Sequence, residues 1–312
     1  MKTLVVLTGP TGVGKTELSL SLAERLGSPI VNADSRQIYR ELPIGTAAPT
    51  AAEQARVPHL FVGTKSLTED YNAGEYEREA LAALDELFMT RDHVLMVGGA
   101  MLYIDAVCNG LDDIPAVPKE LREQLQQQLE ANGLAWLQEQ VKQADPTYFA
   151  EADTQNPQRL LHALEVSLSS GRPYSAFRSG ARKERPFRVV KIALNRPREV
   201  LYERINARVE QMLGQGLLDE VRAVEPLRHL NALNTVGYKE MFRYLDGEWT
   251  LEQAADMVRQ NSRHYAKRQL TWFRADPDIR WLDMTDTPQD LTTIMQIIQN
   301  ENENENQNEN DN

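Results

Sequence analysis

Residues 9–16 read Gly-Pro-Thr-Gly-Val-Gly-Lys-Thr, between the apolar run Leu4-Val5-Val6-Leu7 and a stretch of helical periodicity, TELSLSLAERL. The spacing G-x-x-x-x-G-K-[ST] in the setting strand, loop, helix restricts the chain to few folds. Gly9, Gly12 and Gly14 let the backbone turn back so that successive N–H groups, with Pro10, Thr11 and Val13 between them, face one anion. The helix after the loop adds roughly half a positive charge at its first turn. Lys15 supplies a mobile full charge, and the Thr16 hydroxyl stands where a Mg²⁺ ion would sit. The pattern predicts a di- or triphosphate ligand on a parallel-sheet α/β domain.

The rest of the first third fits that expectation. Short apolar runs at Thr3–Thr8, Pro29–Asn32, His59–Val62 and His93–Val97 alternate with helical stretches near Thr16–Leu26 and Gly74–Thr90, as in a parallel sheet covered on both faces. Near Leu111 the alternation stops. From Asp112 to about Ser170 the chain reads as helical and acidic, with Pro115 and Pro118 at its entry. The run Phe187–Asn195 resumes the sheet, helices come next at 198–213, 217–225, 237–245 and 251–274, and a short strand closes at Ile279–Leu282. The predicted organisation is a P-loop parallel-sheet core with helices on both faces (1–111 and 183–299), a helical insertion (112–182) and a disordered acidic tail (300–312).

Charge is segregated. The net formal charge is −12, but the tail contributes five acids and no base. Between Arg178 and Arg208 ten Arg or Lys face three acids, and Met257–Ala275 has five Arg or Lys and no acid. Basic stretches with Phe177, Phe187, Tyr265, Trp272 and Phe273 among them point to an RNA surface as well as to solvated faces. Trp272 and Phe273 themselves are expected in the core. Cys108 is the only cysteine, which excludes an internal disulfide and favours a reducing compartment. Neither a signal peptide nor an apolar run of the roughly 20 residues that span a bilayer is evident. The expected protein is cytoplasmic, monomeric and free of membrane partners.

A phosphate loop alone does not name a reaction. Asn32-Ala33-Asp34-Ser35-Arg36-Gln37 stands at the end of the second strand, on the edge where ligands of such sheets bind. Asp34 is therefore a candidate for chemistry, with Ser35 and Gln37 available to read a polar substrate; the alternative is an Asp that caps the next helix through Ser35-Arg36. The fourth strand ends in Gly98-Gly99-Ala100, where many NTPases carry a metal-binding acid, and this disfavours water-driven nucleotide hydrolysis.

With these motifs in order, the chain resembles the tRNA dimethylallyltransferases, also called tRNA isopentenyltransferases. The resemblance runs from about Lys2 to Trp281. It rests on GPTGVGKT, NADSRQIY at 32–39, VGGAMLY at 97–103, NPQRLLHALEV at 156–166, RINARVEQMLGQGLLDEV at 204–221, TVGYKE at 235–240 and YAKRQLTWFR at 265–274. It implies transfer of a dimethylallyl group from its diphosphate to N6 of the adenine at tRNA position 37. The partners are then dimethylallyl diphosphate and a tRNA anticodon stem-loop, with Mg²⁺ as cofactor. Asp34 holds the position of the family's base, and Arg208 that of an Arg reaching the diphosphate. By the same resemblance Gln158, Arg159, Leu160, Leu161, His162, Arg122, Gly237, Tyr238, Lys267 and Arg268 fall among RNA contacts, with Gln269 facing the RNA or the active site.

Such chemistry calls for these residue types. Negative charge grows on the bridging oxygen as diphosphate leaves, and preorganised donors there lower the barrier. The attacking exocyclic amine is a weak nucleophile that must lose a proton, so it needs a carboxylate within about 3 Å. Two positions depart from the family pattern. Ala100 replaces a Thr whose hydroxyl is implied to contact the bridging oxygen or the target amine, and His162 replaces an Arg. Ala100 keeps a second reading open, an RNA-binding paralogue with altered catalysis; a small-molecule kinase is the third.

Overall fold

A computed structural model describes residues 2–310 of the chain, and its side chains as far as Asn300. Six strands form one parallel sheet: β1 (Thr3–Thr8), β2 (Ile30–Ala33), β3 (His59–Leu60), β4 (His93–Gly98), β5 (Arg188–Asn195) and β6 (Ile279–Asp283), in the spatial order β3-β2-β4-β1-β5-β6. β1 lies at the centre, with Val5 opposite Leu95 of β4 and Val190 of β5.

Alternation along the strands feeds two cores. Leu4, Val6, Val31, Val94 and Met96 point to one face, where α3 (Ala73–Phe88) and α4 (Met101–Asn109) cover them. Val5, Leu7, Ile30, Leu95 and Ile192 point to the other, under α1 (Lys15–Leu26), α8 (Arg198–Gly214) and the start of α12 (Thr287–Asn310). A third cluster joins α8 with α9 (Leu217–Val224), α10 (Tyr238–Leu245) and α11 (Leu251–Arg274). A short helix, α2 (Ala51–Arg56), opens on a capping box between Thr50 and Glu53.

Contacts divide the chain into two compact units, residues 1–108 with 185–312, and residues 109–184. The second contains α5 (Lys119–Ala144), broken at Gly133 (φ 75°), α6 (Pro146–Glu151) and α7 (Pro157–Ser170), around Leu125, Leu137, Val141, Leu160 and Leu164. The Lys183 N–H donates to the Asn109 carbonyl (2.7 Å), and Asp112 accepts from Ser179 and Gly180, so the two ends of this unit meet.

Three expectations change. β3 stops at Leu60 because Phe61 and Gly63 turn into the left-handed region (φ 63° and 61°), which a strand cannot accommodate. The stretch after Gly99, where no helix is expected, forms α4, which ends just before the break near Leu111. α12 runs to Asn310 where a disordered tail is expected from residue 300, anchored through Ile294 and Ile298; residues 311 and 312 lie outside the described residues. Among the described residues no helix is long and apolar enough to cross a membrane.

Candidate functional site

Thr8, Ala33, Gly98 and Asn195 end four adjacent strands, and the segments leaving these strand ends build the candidate site. After β1, Gly9, Gly12 and Gly14 take φ of 139°, 81° and 106°, conformations that L side chains resist. Gly9 also faces β5 closely, since a Cβ there would fall 2.8 Å from the Leu194 carbonyl oxygen. Lys15 Nζ reaches back to the carbonyls of Gly9 (2.8 Å) and Pro10 (3.0 Å). Burial and the neighbouring Arg208 push its ammonium down to about 7, against the opposing pull of Asp34. Thr16 is exposed on the first turn of α1.

Two arginines hold the loop from outside. Arg204 Nε donates to the Gly12 carbonyl (2.7 Å) and Arg196 Nε to that of Val13 (2.8 Å). In a trans peptide C=O and N–H point opposite ways, so anchoring the Val13 carbonyl turns the Gly14 N–H to the far side. Arg208, half-buried on α8, donates to Thr11 Oγ1 (3.5 Å) and the Thr46 carbonyl (3.4 Å); desolvation lowers its pKa and Asp34 opposes the shift.

After β2, Asp34 Oδ1 accepts the N–H groups of Arg36 (2.9 Å) and Gln37 (3.2 Å). No helix starts here, so the helix-cap alternative is corrected: this oxygen caps a turn. Oδ2 takes no hydrogen bond among the described residues, and Asp34 acts electrostatically on Lys15, Arg208, Tyr103 and Tyr265. A single carboxylate thus caps the turn with one oxygen and has the other without a donor among the described residues. Ser35 gives its carbonyl to Arg36 Nη1, while Arg36 Nε is buried without a partner among the described residues. Gln37 Nε2 donates to the carbonyls of Thr46 and Ala47, both 3.1 Å away. The sequence gives no signal for this 44–47 loop beyond Gly45.

After β4, Gly98 and Gly99 admit no side chain: a Cβ would lie 2.0 Å from the Ala33 oxygen at Gly98 and 2.4 Å from Gln269 Nε2 at Gly99. Ala100 is buried, its N–H on the Ala33 carbonyl (3.0 Å). Beside it Tyr103 stacks on Tyr76 with ring centroids 4.2 Å apart. Among the described residues no group of three or more His, Cys, Asp or Glu could hold a metal.

α11 exposes Lys267 and Arg268, the latter over the Tyr265 ring (5.6 Å). Phe273 is in the core as expected, but Trp272 is 46% exposed and corrects the expectation of burial. The buried positions Ala266, Gln269 and Phe273 follow the helical period, and Trp272 falls off that stripe. Tyr238 is a second correction. It is wholly buried, its hydroxyl on Glu220 (2.6 Å), and Glu220 in turn accepts the N–H groups of Ile44 and Gly45, so this side chain braces the 44–47 loop out of RNA's reach. Gly237, at φ 100°, caps α10.

Within the 109–184 unit, Gln158, Arg159 and His162 are exposed on α7, whereas Leu160 and Leu161 pack into its core, which corrects their expected place among RNA contacts. Arg122, 57% exposed, and His162 both approach the buried Glu165 carboxylate, at 3.6 and 3.9 Å.

The sequence pattern of the IPP transferases matches residues 37–276. The chain belongs to the IPP transferase family. It is 53% identical to tRNA dimethylallyltransferase 2 of Parabacteroides distasonis over 96% of this chain and 100% of that one. With tRNA dimethylallyltransferase 2 of Porphyromonas gingivalis it shares 60% identity over 89% and 93%. Among solved structures, the tRNA isopentenylpyrophosphate transferase of Bacillus halodurans superposes with TM-score 0.73 at 35% identity, covering 99% of this chain and 100% of that one. A eukaryotic dimethylallyltransferase acting on tRNA does so with TM-score 0.78 at 26%, covering 93% and 75%. In this IPP transferase the loop clamps are Arg196, which in the sequence reads only as part of a basic run, and Arg204, which there opens the 204–221 stretch without a role of its own.

Proposed function

We propose that the chain transfers a dimethylallyl group from dimethylallyl diphosphate to N6 of the adenine at tRNA position 37, beside the anticodon, and releases diphosphate. The observation that carries this reading is the pairing of an anion cradle with Asp34, whose Oδ2 takes no hydrogen bond among the described residues and whose carboxylate acts on the cradle's own cations, Lys15 and Arg208. The names of the relatives agree with it.

In the reaction the allylic C–O bond breaks and the N6–C bond forms. The bond pair leaves on the bridging oxygen, where the Gly14 N–H, Lys15 and Arg208 meet the growing charge. The N6 proton passes to Asp34 Oδ2, a carboxylate that the Arg36 and Gln37 amides orient through its other oxygen. Thr16, exposed and with its hydroxyl unpaired among the described residues, fits a magnesium ion carried by the diphosphate. Such an ion keeps most of its waters and asks the protein for one or two oxygens. When bound it would neutralise part of the diphosphate charge. Ser35, Arg36 and Gln37, with Lys267 and Arg268, are the RNA-facing side chains of this unit, and Arg122, Gln158, Arg159 and His162 those of the helical insertion. The protein works in the cytoplasm, with its tRNA.

Incubation of unmodified tRNA with protein, Mg²⁺ and dimethylallyl diphosphate, followed by mass analysis of nucleosides, should yield N6-dimethylallyl adenosine, and Lys15→Ala should abolish it. Bound but unmodified tRNA would instead favour the RNA-binding paralogue, the reading that Ala100 supports.

A further inference from the structure

Gln269 is an uncharged residue on the most basic part of α11, and it is 2% exposed. A buried primary amide must satisfy both of its ends, and those of Gln269 go to two different loops. Oε1 accepts the Thr11 N–H of the phosphate loop at 2.9 Å. Nε2 donates to the Gly99 carbonyl at 2.9 Å, and Gly99 is a residue whose Cβ would collide with it. Tyr265, one turn earlier, adds a longer bond to the same carbonyl (3.4 Å). From Gly99 the connection continues to Ala100, whose N–H is fixed on Ala33, the residue before Asp34. One side chain therefore ties the diphosphate cradle to the strand end that carries the base, and it sits beside Arg268 and two residues from Lys267.

We infer that Gln269 is a positioning residue that couples RNA engagement on α11 to the geometry of the phosphate loop, so that bound anticodon stem-loop tightens the site for the diphosphate donor. The inference rests on the function proposed above. A small rotation of α11 under Lys267 and Arg268 cannot leave the amide behind, because its donor and acceptor are buried and neither can turn to water if its partner is lost. The loop thus moves with the helix. Coupling of this kind is reciprocal, with affinity factors typically of about 5–150.

The test measures the affinity of a non-reacting dimethylallyl thiolodiphosphate with and without a saturating anticodon stem-loop. In the wild type the RNA should tighten the analogue by about fivefold or more. Gln269→Met, of similar length and without hydrogen bonds, should bind RNA alone within about twofold of wild type while that factor falls to about one; kcat should drop with the KM for RNA unchanged. Gln269→Glu gives an independent readout. A protonated carboxyl reproduces the donor and acceptor pair, whereas the ionised form sets an anion against the Gly99 carbonyl. Burial at this position raises a carboxyl's pKa, so the variant's coupling factor should fall from pH 5.5 to pH 8 relative to wild type measured at the same pH, with the melting temperature followed at both. Equal coupling in Gln269→Met and wild type, or a wild type that modifies tRNA with no coupling at all, overturns the inference alone. A wild type that neither binds the analogue nor modifies tRNA overturns the proposed function and this inference with it.

Discussion

Raising the pH should weaken the diphosphate donor's grip through one side chain. Lys15 is held at about 7 by burial and by Arg208 in the free protein. A bound diphosphate supplies the missing counter-charge and restores the lysine towards its usual range near 10.5. Below pH 7 the ammonium is already charged and affinity is fully present. Above pH 7 binding must take up a proton, and each further unit costs about tenfold, or about 1.4 kcal/mol. From pH 7 to 9 the loss is about 50-fold, or about 2 kcal/mol. A terminal phosphate sheds its last proton near pH ~6, so this range isolates the lysine. Calorimetric titration of the thiolodiphosphate analogue in buffers of different ionisation enthalpy reads both the affinity and the proton uptake. Lys15→Arg, which keeps its charge throughout, should give a flat profile, and Arg208→Gln should move the break to higher pH. A flat wild-type profile, or the same slope in Lys15→Arg, refutes the assignment.

Asp34→Asn keeps an Oδ1 for the Arg36 and Gln37 amides but cannot take the proton, so single-turnover rates should fall about 10²-fold or more with tRNA affinity unchanged. Ala100→Thr should raise the single-turnover rate about tenfold or more without altering either affinity, since it restores a hydroxyl next to Ala33 and the base; an unchanged rate means another group already serves. tRNA affinity should fall at least ~10-fold between roughly 50 and 200 mM salt despite the acidic total, because each phosphate contact releases counterions, and deletion of residues 300–312 should not weaken it. A salt-independent dissociation constant would remove the basic stretches as the RNA face.

What the sequence disclosed and what it hid divide by range. The phosphate loop and the Asp34 turn are local: glycine conformation and the adjoining helix or turn define them within eight residues, so spacing alone locates them. Gln269, Arg196 and Arg204 meet the same loop across 258, 183 and 192 positions; no periodicity within α11 or α8 ties Gln269 or Arg204 to it, and Arg196 lies between β5 and α8. Tyr238 misleads for a related reason. The resemblance puts it among RNA contacts, and nothing local shows that Glu220, eighteen residues away, captures its hydroxyl. Trp272 was within reach, since the spacing of Ala266, Gln269 and Phe273 excludes it from the buried stripe.

The central place of β1 has a consequence for synthesis. Its partner on one side, β4, is complete by Gly98, but its partner on the other, β5, begins only at Arg188. At roughly 5–20 residues per second the ribosome leaves one edge of a fully buried, mostly apolar strand open for about 5–20 seconds while the insertion is made. An open apolar edge recruits other strands. Early folding of the 109–184 segment joins its ends at Asn109 and Lys183 and hands β5 over across a short gap, where an unfolded segment of that length would leave a long loop to close. Substitutions in the insertion's core, such as at Leu137 or Leu160, should therefore lower the yield of soluble protein before they alter any rate.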